Sequence, residues 1–307
     1  MTATPKIFSY AAAAGAGVIA NVILGLSSLY WRELAAIPAT TLLGYRISLS
    51  LVTLSIVMVL SGRFRGIQKK ITEKSIAIHG AAAVLLVVNW GTFIWASIRG
   101  HVVESGLGYL VAPFISIGGG VLIFKDRMSV LKRLSLVLIA AGVLTLIARS
   151  SELNHWVYLT IGVTWGGYTW LKKVTSLDAF EGLFCENVVL SIILMVMVFT
   201  PLTTMNLPKA LPDHSLVMLA VAGFVSVTPL WLFSKATSSL PLSIMGFFQF
   251  FLPITQLVVA LIFYHQSISS NTEFCFGAIC MAVLVIVTEP FVQRLILMSK
   301  RNRNEEI

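Results

Sequence analysis

The chain has 307 residues, of which 57% are hydrophobic and only 11% charged, and its mean hydropathy is +0.89. A water-soluble domain carries about a quarter charged residues, so lipid must be the solvent for most of this chain. At about 20 residues per crossing, eight or more helices fit, and little length is left for a separate cytosolic enzyme domain. Cys185, Cys275 and Cys280 lie in or beside apolar runs with no CxxC spacing, which suggests neither a disulfide framework nor a thiolate metal site.

Apolar windows between charged or Pro/Gly/Ser-rich breaks predict ten membrane spans, at 7–29, 38–60, 75–98, 103–123, 129–148, 154–171, 182–201, 215–234, 242–264 and 270–292. Several connections are only a few residues long, so neighbouring spans must run antiparallel in an all-α polytopic bundle. The first run is too long for a secretory signal peptide and has a counterpart later in the chain. Lysine and arginine divide unevenly between alternate connections. One side, with both termini, takes Lys6, Arg63, Arg65, Lys69, Lys70, Lys74, Lys125, Arg127, Lys132, Arg133, Lys172, Lys173, Lys235, Arg294, Lys300, Arg301 and Arg303. The other takes Arg32, Arg99, Arg149 and Lys209. Seventeen against four puts both termini in the cytoplasm. The same loops account for the net charge of +9 through topology and anionic lipid, with no nucleic-acid partner.

Displacing the sequence by 140 residues brings the second half onto the first. Ala82 then meets Ala222, Phe93 meets Phe233, Ala96 meets Ala236, Gly106 meets Gly246, Pro113 meets Pro253, and Val143-Leu144 meets Val283-Leu284. Span boundaries coincide in the same register, which predicts repeats over 1–150 and 151–292 followed by a basic tail at 293–307. Five spans per repeat is an odd number, so the halves must lie in the bilayer with opposite orientation. Such inverted repeats serve alternating access around a site near the midplane.

The run Asn89-Trp90-Gly91-Thr92-Phe93-Ile94-Trp95-Ala96, its continuation from Gly100 to Tyr109 and Pro113, and Leu43-Gly44-Tyr45-Arg46-Ile47 resemble the RarD-type branch of the EamA transporters, in the drug/metabolite transporter superfamily. Thr228-Pro229-Leu230, Leu240-Pro241-Leu242-Ser243 and Gly246-Phe247-Phe248-Gln249-Phe250 follow the same branch. The resemblance covers nearly the whole chain. It implies a ten-helix inner-membrane carrier built of two EamA repeats, with a central cavity lined by the first four helices of each.

An ionisable side chain deep in a span costs roughly 2.5–3.5 kcal/mol and is a functional candidate by default. Arg46, eight residues into the second span, and Glu186, a turn into the seventh, stand out, and the 140-residue displacement superposes them. Arg46 is expected to anchor a solute carboxylate or phosphate, and Glu186 to contact an amine or carry a proton. Snorkelling of Arg46 and helix capping by Glu186 are the bland alternatives. Pro113 and Pro253 each free a carbonyl four residues earlier, at Tyr109 and Gln249, so this matched pair of kinks is a candidate gate, with Gly106 and Gly246 permitting close approach. Trp90 and Trp165 are deep enough to line a cavity for apolar or aromatic solute surfaces. Asn89 and Gln249 are buried amides able to contact solute or to bind neighbouring helices.

His79, His101, His155, His214 and His265 are dispersed, and HExxH, GxSxG and Walker motifs are absent, so neither hydrolysis nor ATP-driven pumping is expected. No cofactor or metal is expected either, and the energy source must be a gradient, with proton coupling through Glu186 preferred over facilitation. The expected function is export of a small amphipathic metabolite or drug across the inner membrane by alternating access, by a monomer or homodimer in contact with solute and lipid. Import of a specific metabolite is the alternative, and a non-transporting scaffold or scramblase is the reading from another class. Topology is testable directly: reporter fusions at Gly66 and in the C-terminal tail should report cytoplasm, and one near Asn206 should report periplasm. A reversed signal at any of these sites breaks the ten-span arrangement.

Overall fold

In the computed structural model, residues 9–149, 153–199 and 205–265 are described, together with 273, 277–285, 288 and 289. The helices are α1 (Tyr10–Glu33), α2 (Ala39–Leu60), α3 (Phe64–Ile67), α4 (Glu73–Arg99), α5 (Val102–Leu122), α6 (Val130–Arg149), α7 (His155–Val174), α8 (Ala179–Val198), α9 (Asp213–Ser239), α10 (Leu242–Gln249) and α11 (Phe251–Ile262). Residues 277–285 are helical too, and no strand occurs among the described residues. The tail at 293–307, and about half of the tenth expected span, lie outside them. Two compact units emerge, one from residues 1–126 with 154–266, the other from 127–153 with 267–307. In the smaller unit Lys132 reaches Glu289 at 3.4 Å.

Among the described residues, eight stretches are long and apolar enough to cross a membrane: α1, α2, α4, α5, α6, α8, α9 and the joined α10–α11. The twenty residues of α7 fall short because Lys172 and Lys173 share the helix with His155, threonines, glycines and aromatic residues. Large apolar side chains cover the surface as well as filling the core, and several polar side chains lie within that core. Val59, Leu60, Leu122, Val137 and Phe199 lie on the surface, whereas Asn21, Arg46, Asn89, Glu186 and Gln249 lie in the interior. Lipid rewards that arrangement, because exposed hydrocarbon costs nothing there and polar groups must find partners inside the bundle.

Helix ends follow local chemistry. Thr72 and Ser75 form a reciprocal capping box at the start of α4, and Asp178 with Glu181 does the same for α8. Gly100, at φ +80°, closes α4 in the left-handed conformation that lets α5 begin two residues later. At that end of the larger unit Arg32 donates to Phe263 O, and the Tyr264 hydroxyl donates to the carbonyls of Ser28 and Ser97. At the other end Arg63 pairs with Asp178 and Lys70 with Glu181, while Lys173 donates to the carbonyls of Thr237 in α9 and of its C-cap Leu240.

Small residues set the helix crossings. A Cβ on Gly108 of α5 would lie 2.7 Å from Ile161 Cβ, and one on Gly223 of α9 would lie 2.2 Å from the Leu49 carbonyl oxygen of α2. Without a strong hydrophobic drive between helices in lipid, such backbone contact supplies much of the association. The ninth expected span is broken at Phe250, three residues before Pro253, but α5 passes through Pro113 as one helix. Gly223→Val should therefore lower the melting temperature of the solubilised protein markedly, by overpacking worth about 1–3 kcal/mol. Gly80→Ala, where a Cβ meets nothing within 4 Å, should leave it unchanged. Equal melting temperatures for the two variants would refute the packing argument.

Candidate functional site: a buried guanidinium and a buried carboxylate cluster

Arg46 lies two turns into α2 and is only 4% exposed, so it does not snorkel. Its guanidinium carbon sits 3.9 Å from the ring centre of Trp90 on α4 and 5.0 Å from that of Trp31 on α1. Aromatic faces attract a cation but accept none of its in-plane N–H bonds. Nε and Nη1 accordingly have no hydrogen-bond partner.

The neighbouring shell is tied together by hydrogen bonds and ring contacts. Asn89 donates to Thr164 Oγ1 on α7 at 3.0 Å and accepts from the Tyr109 hydroxyl of α5 at 3.2 Å. Trp165 meets Tyr109 edge to face at 5.9 Å and stacks on Tyr168 at 5.5 Å, with Phe233 of α9 tilted against it at 4.7 Å. Asn89, Trp90, Tyr109 and Trp165 thus form one contiguous group with Arg46. Gln249 stands apart, its amide bonded to Thr169 at 3.0 Å and Ser116 at 3.2 Å, which ties α10 to α7 and α5.

Glu186 does not face Arg46. It is fully buried two turns into α8, and its partners are three other side chains. Oε1 accepts from His79 Nδ1 of α4 at 2.8 Å and from Lys172 Nζ of α7 at 2.9 Å, and Oε2 accepts from the Tyr168 hydroxyl at 3.1 Å. Capping of α8 falls to Asp178 and Glu181 instead. Sequence reasoning counted Lys172 among the loop charges, but α7 continues to Val174 and Lys172 is 2% exposed. It passed over His79, which is 1% exposed, although its place inside the third expected span was a usable signal. Gly182 makes room for both, since a Cβ there would lie 2.7 Å from His79 Cε1 and 3.1 Å from Lys172 Nζ.

The prolines and glycines singled out as a gate meet reciprocally. A Cβ on Gly246 would lie 3.3 Å from the Pro113 carbonyl oxygen, and one on Gly106 would lie 4.0 Å from that of Pro253. Among the described residues no cluster of three or more His, Cys, Asp or Glu side chains is arranged to hold a metal. Breaking the Lys172–Glu186 pair from one side leaves a buried charge, so Lys172→Met should destabilise the protein by about 3–5 kcal/mol. Adding Glu186→Leu should recover a large part of that loss in thermal unfolding, and a double variant as unstable as the sum of its parts would refute the pairing.

No family model matches the chain. It is 30% identical over 275 residues to the uncharacterized transporter YojE of Bacillus subtilis, covering 87% of this chain and 90% of that one. The protein RarD of Escherichia coli K12 is 26% identical over 272 residues, 88% of this chain and 92% of its own. A solved crystal structure shares the fold at a TM-score of 0.65 and 13% identity, covering 90% of this chain and 97% of that one. With its apolar helices and exposed hydrocarbon surface, the chain is a multi-pass membrane protein and belongs to the RarD-like transporters of the drug/metabolite transporter superfamily.

Proposed function

We propose that this protein is a secondary carrier that exports a small amphipathic solute with an anionic group across the inner membrane, by alternating access between two inverted five-helix halves with both termini in the cytoplasm. The observation that carries the reading is the charge balance of the interior. Glu186 is already matched by Lys172, whereas Arg46 has two donor nitrogens, Nε and Nη1, without an acceptor. A buried cation of that kind is expensive until a counter-charge arrives, and a carboxylate, sulfonate or phosphate presents two oxygens to the guanidinium edge. Trp31, Trp90, Tyr109 and Trp165 suit the apolar body of such a solute. Glu186, held by three donors, serves the protein and not a solute amine.

Helix packing supports the inverted halves. α1 packs on α9 and on α10–α11, and α7, its counterpart in the 140-residue register, packs on α4 and α5. Each therefore lies against the matching helices of the opposite half. The crossed contacts of Gly246 with Pro113 and Gly106 with Pro253 obey the same exchange. α7 and the tenth helix complete the ten-span count on this reading.

The test uses p-toluenesulfonate, a planar anion that stays ionised at every working pH, with benzylammonium and benzyl alcohol as controls of similar size. Reconstituted wild-type protein should take up the sulfonate saturably and the controls much less. Arg46→Lys should reduce uptake, because a point-charge ammonium lacks the planar fork, and Arg46→Ala should abolish it with expression intact. Preference for benzylammonium, or normal sulfonate uptake by Arg46→Ala, would refute the anion site.

A further inference from the structure

The hydrogen bonds around Glu186 extend beyond a simple ion pair. His79 gives one ring nitrogen to the carboxylate and turns the other, Nε2, to the Thr175 hydroxyl at 2.7 Å. Thr175 Oγ1 also accepts from the Leu177 backbone N–H at 3.2 Å. Thr175 is half-buried, and the next residue, Ser176, is exposed. A continuous chain of polar groups therefore runs from the surface through Thr175 and His79 to the buried carboxylate. A mostly apolar cavity of about 230 Å³, lined by Ile71, Ile76, Phe184 and Val188 together with Ser75 and Cys185, borders His79 on another side.

From this constellation we infer that His79, Glu186 and Thr175 form a proton-binding site, the point at which transport is coupled to a proton gradient. The network is satisfied in two protonation states. With His79 neutral, Nδ1–H donates to Glu186 and Nε2 accepts the Thr175 O–H. When a proton arrives from water, Thr175 passes its own hydroxyl proton to Nε2 and takes the incoming one in its place. Nε2–H then donates to Thr175 Oγ1, whose new O–H points outward, while Nδ1–H remains on the carboxylate. Both hydrogen bonds of the His79 ring persist in either state, and the cluster's charge rises by one. Lys172 stays paired with the Glu186 carboxylate in both.

The groups facing the pair are few. α4 contributes His79, α7 contributes Tyr168 and Lys172, and α8 itself carries Cys185 and Glu181, the latter engaged by Lys70. The described hydrogen bonds and ion pairs of Glu186 come from no residue of α2 or α9. α4 carries both His79 and Trp90, and α7 carries Thr164, Trp165 and Lys172. A shift of either helix on protonation therefore moves the wall of the Arg46 site as well. Tyr168 joins the two directly, with its hydroxyl on Glu186 and its ring on Trp165.

Two measurements test this, and only the second rests on the proposed anion site. In the first, unbuffered detergent-purified protein receives an acid step, and proton uptake is read with an indicator dye. Wild-type protein should take up more than His79→Gln, whose amide replaces the hydrogen bonds but cannot accept a proton. Thr175→Val should slow the uptake and Thr175→Ser restore its rate. Equal uptake by wild type and a monodisperse His79→Gln of normal melting temperature overturns the proposal, and so does unaltered kinetics in Thr175→Val. In the second, an imposed pH gradient should change p-toluenesulfonate flux severalfold in wild-type proteoliposomes, and any flux remaining in His79→Gln should ignore the gradient. Gradient-independent wild-type flux overturns the coupling. Absence of flux for every probe sinks the anion reading, and the proton site is then decided by the dye measurement alone.

Discussion

A charge inside a bundle solvated by hydrocarbon cannot borrow water for its compensation, so whatever stabilises it must arrive on the protein's own helices or on a ligand. That constraint arranges the interior of the larger unit. Glu186 draws Lys172 and Tyr168 from α7 and His79 from α4, which fixes three helices at one level. Among the described residues, Arg46 receives the faces of Trp31 and Trp90 and no hydrogen-bond acceptor at Nε or Nη1. The two charges, 140 residues apart in the chain, have opposite environments, one closed and one incomplete.

The aromatic and amide residues between them are packed tightly enough to transmit a displacement. Tyr168 touches Glu186, Trp165 stacks on Tyr168, Tyr109 meets Trp165, and Asn89 accepts from Tyr109 beside Trp90. Close-packed interiors move as discrete alternatives and do not deform smoothly. A site built of such contacts resists partial opening.

Much of the helical frame was legible in the sequence because hydropathy in a membrane protein is a one-dimensional signal. The second expected span, 38–60, became Ala39–Leu60, and the third, 75–98, became Glu73–Arg99. The candidate site was less so. Hydropathy marks where a run ends, and at the end of α7 it read Lys172 as loop when the helix carries it inward to Glu186. Nor does a one-dimensional pattern tell which face a polar residue occupies. Gln249 and Asn89 look alike in sequence, but Gln249 is consumed by Thr169 and Ser116 while Asn89 sits beside the guanidinium's neighbour Trp90. Proline gave equal expectations at Pro113 and Pro253, and only the second half contains the break.

The order in which these groups leave the ribosome differs between the two charges. Glu186 emerges last of its cluster, after His79 and Lys172 have been synthesised, so its cations are waiting when α8 enters the bilayer. Arg46 emerges with Trp31 already made but more than forty residues ahead of Trp90. During that interval the second helix holds a guanidinium in lipid with half of its aromatic shelter missing. The insertion machinery or the first helix must keep α2 from slipping toward the headgroups until α4 arrives, and biogenesis of this carrier is therefore most vulnerable early, in the synthesis of its first hundred residues.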